Sequence, residues 1–202
     1  MKALFLNCSL KTSKDPSHTS ALLKEAADWF ASENVETEEI RIADYTVIPG
    51  MEPDMGNGDE WPKIMKKVLT SEILIVGTPI WIGEKSSIST LVMERLSASS
   101  GETNKKGQGI FYNKVAGAVV TGNEDGAKAS AKSLLYGLQH IGYTVPPNVD
   151  AYWVGEAGPG PSYMDTNKEN EFTKKNIKMM TYNLIHFARM LKEHPIPTKG
   201  NS

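Results

Sequence analysis

Between an apolar run, Lys2-Ala-Leu-Phe-Leu-Asn-Cys8, and a helical pattern that starts at Ala21, the chain places Ser9, Lys11, Thr12, Ser13, Ser17, His18 and Thr19 in one short loop. Each hydroxyl can donate to a phosphate oxygen, His18 can present its backbone N–H, and Lys11 adds positive charge. The loop also leads into a helix, whose first N–H groups have no intrahelical acceptor and carry the positive end of the dipole. Strand, hydroxyl-rich loop and helix start together make an anion site, so a phosphate-bearing ligand is the first expectation. A structural role fits Ser17 or Thr19 equally well, because either is a favoured N-cap.

Two further segments offer different chemistry. Gly77-Thr-Pro-Ile-Trp-Ile-Gly83 holds Pro79, Ile80, Trp81 and Ile82, a flat apolar wall with backbone amides to spare. Thr121-Gly-Asn-Glu-Asp-Gly126 combines small residues (Gly122, Gly126) with polar ones (Thr121, Asn123, Glu124). Phosphate donors, a planar wall and small polar residues together suit a flat aromatic ring with a phosphate tail. Bland readings compete at each point. Asn123, Glu124 and Asp125 also fit as capping residues ahead of Ala127, and Trp153 fits the core better than a ligand wall. Trp81, in a turn beyond a strand end, fits a site better than a core.

Other classes are excluded or left unsupported. Gly-x-Ser-x-Gly, the Walker phosphate loop and His-Glu-x-x-His are absent, which removes the hydrolase and ATPase readings. A net charge of −2 supplies no basic field for nucleic acid or anionic lipid. The lone cysteine, Cys8, excludes an intramolecular disulfide, fits a reducing compartment and reads as a small core residue. His140, His186 and His194 have no ligand spacing, so no metal site is expected. No signal peptide and no apolar stretch near ~18 residues is present, which points to a cytoplasmic protein with no membrane partner.

Strand-like and helix-like periods alternate along the 202 residues, as expected of one α/β domain with helices on both faces of a parallel sheet. The first helix is expected over 18–32, an edge strand over 35–42, a long loop over 43–59 and a helix near 60–70. The run 73–78 reads as the most buried strand, followed by a helix over 85–98, an exposed loop over 99–113 and a strand over 115–121. A helix from Ala127 stops at Gly142, a fifth strand is broken by Pro146-Pro147, and Gly155–Tyr163 is a turn-rich loop. A last helix spans 168–193, giving one domain over 1–194 with a flexible tail over 195–202. In such a sheet, ligands bind beyond the carboxyl ends of the strands where the strand order reverses. The three loops above emerge there.

On those three loops the chain resembles the flavodoxin-like, NAD(P)H-dependent FMN reductase family. The matches are Ser9, Lys11, Ser17, His18 and Thr19 in the first loop, Thr78–Gly83 in the second and Thr121–Gly126 in the third, within a likeness over residues 2–155. The resemblance implies a doubly wound five-stranded parallel sheet of order 2-1-3-4-5. It also implies noncovalent FMN, with the first loop on the phosphate, residues 79–82 along the isoalloxazine and residues 121–126 on its pyrimidine side or ribityl chain. NAD(P)H would be the co-substrate and a quinone, nitro or azo compound, free flavin or metal ion the acceptor. Lysine at position 11 departs from the family's arginine and keeps charge without bidentate geometry. A flavodoxin-type electron carrier and an FMN-binding protein with little turnover are the alternatives, though the strong acidity and Thr-x-Thr-Gly-x-Thr loop of carriers are missing. A homodimer or homotetramer is expected, with Trp61, Phe111, Tyr112 or Tyr163 against a partner chain.

Overall fold

A computed structural model describes residues 1–158, 160–167 and 170–202. Of the expected elements, Pro159 in the turn-rich loop and Lys168 and Glu169 at the start of the last helix lie outside the described residues.

Strand β1 (Lys2–Asn7) lies between β2 (Glu36–Arg41) and β3 (Ile73–Trp81), and β5 (Val115–Gly122) and β6 (Asp150–Val154) continue the sheet from β3. These five strands are parallel, in the expected order once the short β4 (Glu84–Lys85) is set aside. The two-residue period of a strand sorts the core into layers. Ala3 and Phe5 of β1 and Ile73 and Ile75 of β3 face helices α1 (His18–Ser32) and α5 (Glu171–Glu193), where Leu22, Phe30, Ile177 and Leu184 meet them. Leu4, Leu6, Leu74 and Val76 face the other way. They meet α2 (Trp61–Leu69), α3 (Ser87–Ala98) and α4 (Ala127–His140) through Ile64, Val92, Leu96 and Leu134.

The departures from expectation have local causes. β3 runs on through Pro79-Ile80-Trp81 because Ile80 and Trp81 pair antiparallel with Lys85 and Glu84, so the expected second loop is a hairpin whose turn is Ile82-Gly83. The fifth strand begins only at Asp150, and Thr144 makes a single bridge to Val115, since the two prolines cannot donate to a ladder. The 99–113 loop is not exposed throughout. Phe111 is fully buried and stacks on Tyr143 with ring centroids 5.1 Å apart. The segment after α5 meets that loop: Ile196 N–H donates to Asn113 Oδ1 at 2.7 Å, and Gln108 Nε2 donates to the carbonyls of Ile196 (3.0 Å) and Pro197 (3.3 Å).

The long loop ahead of α2 is folded inward on one carboxylate. Asp59 accepts the N–H groups of Ile48, Met55 and Trp61 at 3.0–3.2 Å and pairs with the fully buried Arg95 of α3 at 2.7 Å. Trp61 therefore sits in the core beneath the Arg95 guanidinium. Trp61, Phe111 and Tyr163 are all buried within the protomer, which corrects their expected placement at a partner chain.

Candidate functional site

The carboxyl ends of β1 and β3 and the start of α3 are locked together where the loops begin. Cys8 N–H donates to the Gly77 carbonyl at 2.8 Å, and Ser86, the N-cap of α3, donates through its hydroxyl to the Cys8 carbonyl at 2.7 Å. Thr78 Oγ1 accepts from Ser86 N–H (3.0 Å) and Ser89 Oγ (2.7 Å) and donates to the Pro79 carbonyl (2.9 Å). Burial of these groups makes every unmade bond costly, so the network fixes where the loops leave the sheet. Cys8 is part of that packing. Burial pushes its thiol up to about 12, so it stays protonated and is no nucleophile near neutrality.

The first loop carries its residues to the mouth of the sheet. Fully buried Asn7 donates to Glu39 Oε1 (2.8 Å) and accepts Ser9 N–H (3.0 Å), while Ser9 Oγ accepts Lys11 N–H (3.3 Å). Ser17 is the N-cap of α1 and accepts Ser20 N–H at 3.2 Å. That bond uses a lone pair and leaves the hydroxyl proton for a ligand, so the cap and the anion contact do not compete. Thr19 Oγ1 lies 2.8 Å from Thr121 Oγ1, joining the first loop to the third.

The wall opposite is the hairpin turn. Ile82 (φ 53°) and Gly83 (φ 75°) turn the chain, and Glu124 accepts both of their N–H groups, through Oε1 at 3.1 Å and Oε2 at 3.2 Å. Gly126, at φ 126°, seats this turn; a Cβ there would lie 2.3 Å from the Gly83 carbonyl oxygen. A third segment, the described residues of 155–165, borders the cavity through Gly158, Ser162 and Tyr163. Asn123 Nδ2 donates to the carbonyls of Gly160 and Pro161, both at 3.1 Å, His18 Nδ1 accepts Met164 N–H at 3.2 Å, and the Tyr163 hydroxyl donates to Glu25. Burial lowers the His18 pKa and Lys11 lowers it further, against a rise from Asp165.

These segments enclose a cavity of about 830 Å³. It brings together Ser9, Lys11, Ser17, His18 and Thr19 from the first loop and the start of α1, Pro79, Ile80 and Trp81 from β3, and Thr121, Gly122, Asn123 and Glu124 from the end of β5 and the turn after it. Two expected residues are not among its lining. Ile82 is 92% exposed at the tip of the turn, because its left-handed backbone turns the side chain to solvent, and Gly126 acts one step back by packing on Gly83. Trp81, 54% exposed, borders the cavity as expected of a site residue. Sequence reasoning missed Leu10, Trp153, Gly158, Ser162 and Tyr163. Trp153 is both core and wall: it is 6% exposed, lies one residue before the end of β6, and packs against Tyr163 with ring centroids 5.4 Å apart. Its place next to the last residue of a strand beside β5 was the available signal.

The arrangement has a polar end built on a helix N-terminus and an aromatic end built on Trp81, Trp153 and Tyr163. Residues 1–157 match the NADPH-dependent FMN reductase family. The chain belongs to that family. It is 44% identical over 199 residues to a divalent metal cation transporter, MntH, of Mycobacterium bovis; the match takes in 95% of this chain and 29% of that protein's length. It is 36% identical over 208 residues to 8-demethyl-8-aminoriboflavin-5'-phosphate synthase of Streptomyces davaonensis, covering 98% of this chain and 81% of that protein. The solved structure of RosB with bound 8-demethyl-8-formylriboflavin-5'-phosphate superposes with a TM-score of 0.89 at 36% identity, over 97% of this chain and 82% of that one. Among the described residues, no helix is long and apolar enough to cross a membrane.

Proposed function

We propose that the protein is an FMN-dependent oxidoreductase that takes hydride from NAD(P)H and passes electrons to a small acceptor such as a quinone, a nitro or azo compound or free flavin. The observation that carries this reading is one cavity with hydroxyls and a helix N-terminus at one end and Trp81, Trp153 and Tyr163 at the other. The residues fit the group: Ser9, Lys11, Ser17 and the first N–H groups of α1 hold the phosphate, and the aromatic wall takes the ring. When bound, FMN supplies the hydride and electron chemistry, so no side-chain nucleophile or acid–base pair is required. The chain's own residues bind and orient: Thr19 and Thr121 brace the middle of the cavity, Glu124 fixes the turn beside Trp81, and the 155–165 segment shields the site from water.

A second reading is favoured by the likeness to the aminoriboflavin phosphate synthase: the same cavity takes a flavin phosphate as reactant and changes its ring substituents. In both readings the protein works as a homo-oligomer in the cytoplasm on a small molecule. The test is to purify the protein, identify the flavin it releases on denaturation, and follow flavin bleaching by NADH and NADPH in stopped flow. Release of FMN, rapid bleaching and recovery of unchanged FMN after turnover support the oxidoreductase. A flavin of altered mass after turnover favours the synthase-like reading, and FMN that neither bleaches nor changes points to a carrier. A colourless protein that cannot be reconstituted with FMN removes all of these.

A further inference from the structure

Arg41 ends the edge strand β2, where it is registered beside Asn7, the last residue of β1. It contributes nothing to the lining of the cavity. A charged side chain on an edge strand is ordinarily solvated, yet that of Arg41 is only 9% exposed. Its NH1 donates to the carbonyls of Thr12 (3.0 Å) and Lys11 (3.2 Å) and lies 3.5 Å from that of Asp15. Its Nε is buried with no hydrogen-bond partner, 3.9 Å from Glu39 Oε1. The far side of the same loop is held by Asp44, which accepts Ser13 N–H at 2.7 Å. That N–H, ahead of the nearby charges of Arg41 and Lys14, holds the Asp44 carboxyl below the usual carboxylate range.

The loop from Lys11 to Pro16 is thus wrapped around a guanidinium, and its two ends, Lys11 and Ser17, both reach the cavity. Carbonyl oxygens carry partial negative charge and would repel an anion beside the start of α1. Here those of Lys11 and Thr12 are turned onto a cation from a neighbouring strand. Arginine suits the task because its fixed, always-charged fork can serve several carbonyls from one position. We infer that Arg41 is the positioning residue that sets this loop for the phosphate of the ligand, acting from behind the loop and touching neither phosphate nor ring. This rests on the flavin-phosphate reading above.

The experiment compares FMN with riboflavin, which lacks the phosphate, by fluorescence titration of the apoprotein in the wild type, Arg41→Met and Arg41→Lys. Apoprotein melting is recorded alongside. The ratio of the riboflavin Kd to the FMN Kd is expected to fall about tenfold or more in Arg41→Met, as for loss of a hydrogen bond to a charged group, and by less in Arg41→Lys. Riboflavin affinity should stay within about twofold. A residue that only stabilises the fold lowers melting and affects both flavins alike. An unchanged ratio in folded Arg41→Met overturns the inference; should that variant not fold, an unchanged ratio in Arg41→Lys does so. A wild type that shows no preference for FMN, or binds neither flavin, overturns the phosphate or flavin reading itself, and this inference with it.

Discussion

The two ends of the cavity are held in opposite ways. At the polar end, the loop from Ser9 to Ser17 is tied down by Asn7, Arg41 and the Thr19–Thr121 contact, groups that are buried or nearly so and that issue from the sheet and the first helix. At the aromatic end, the segment over the cavity is pinned at Tyr163, which is buried in the core against Trp153 and donates to Glu25, while Gly160, Pro161 and Met164 hang on Asn123 and His18, half-buried side chains whose bonds are open to water at one side or both. Buried polar contacts are expensive to break and exposed ones cheap. The polar end is therefore built in advance of the ligand, and the stretch around Gly160 and Pro161 is the more weakly held part of the aromatic end.

The largest effect should come from removing hydroxyls at the prebuilt end. Ser17→Ala is expected to weaken FMN binding by about 10- to 100-fold, since a hydrogen bond to a charged acceptor contributes roughly 1.5–3 kcal/mol, and adding Thr19→Ala, which breaks the contact with Thr121, to weaken it further. Loss of the Ser17 cap should cost the apoprotein only about 1 kcal/mol. Titration with FMN and melting of the apoprotein separate the two. Equal losses in apo and holo melting would reduce Ser17 to a cap.

Gly126→Ala tests the side wall that joins the two ends. The left-handed backbone and a Cβ placed 2.3 Å from the Gly83 carbonyl oxygen force the 82–83 turn to move. Overpacking of this kind costs about 1–3 kcal/mol. Trp81, adjacent to the turn, should shift with it, and FMN affinity should drop by about tenfold or less. Intrinsic tryptophan fluorescence and melting report the displacement.

The prebuilt end was also the legible one. Ser9, Ser17 and Thr19 stood out because a strand, a hydroxyl loop and a helix start have strong local signatures, and α1 falls over 18–32 as its apolar spacing predicts. The aromatic end was not legible. Trp153 reads as a core residue and is one, and Tyr163, expected at a partner chain, is a core residue too; only the packing of a distant loop onto β6 makes them wall. Ile82 misled for a related reason. A run that reads as loop is a hairpin, and the pairing of Trp81 with Glu84 decides where its tip points. Trp61 and Phe111 were sought at a partner surface because they lie in long loops, whereas the Asp59–Arg95 pair and the Phe111–Tyr143 stack draw those loops inward. Contacts between segments far apart in sequence leave no local periodicity to read.

A smaller effect, dependent on pH, is expected at His18. Its Nδ1 accepts the Met164 N–H, which requires the neutral ring, and burial lowers its pKa below the ordinary 6.5, with Asp165 opposing and Lys11 assisting. With the segment released, His18 therefore binds a proton more readily than with it docked. The contact is fully present above about pH 6.5 and is lost as pH falls through the lowered value. Limited proteolysis within 155–165 should quicken on acidification across that window. In His18→Leu the rate should be high at the outset and flat with pH, and a wild-type rate that is already flat would remove His18 from the closure.

The smallest effect, and the one that most directly probes the contrast between the ends, is expected from Asn123→Ala. The side chain makes two hydrogen bonds of 3.1 Å to the carbonyls of Gly160 and Pro161. Water can replace both bonds once the amide is gone, so global stability should change by less than about 1 kcal/mol. Local opening is a different quantity, because it counts only the contacts that hold this segment. Cleavage within 155–165 should therefore rise severalfold while apoprotein melting scarcely moves. FMN affinity should fall by less than about fivefold, the ligand still being held at the phosphate. If Asn123→Ala instead lowered FMN affinity as far as the Ser17 and Thr19 pair does, the segment over the rings would be a fixed wall, and the division into a prebuilt end and a more weakly held end would not stand.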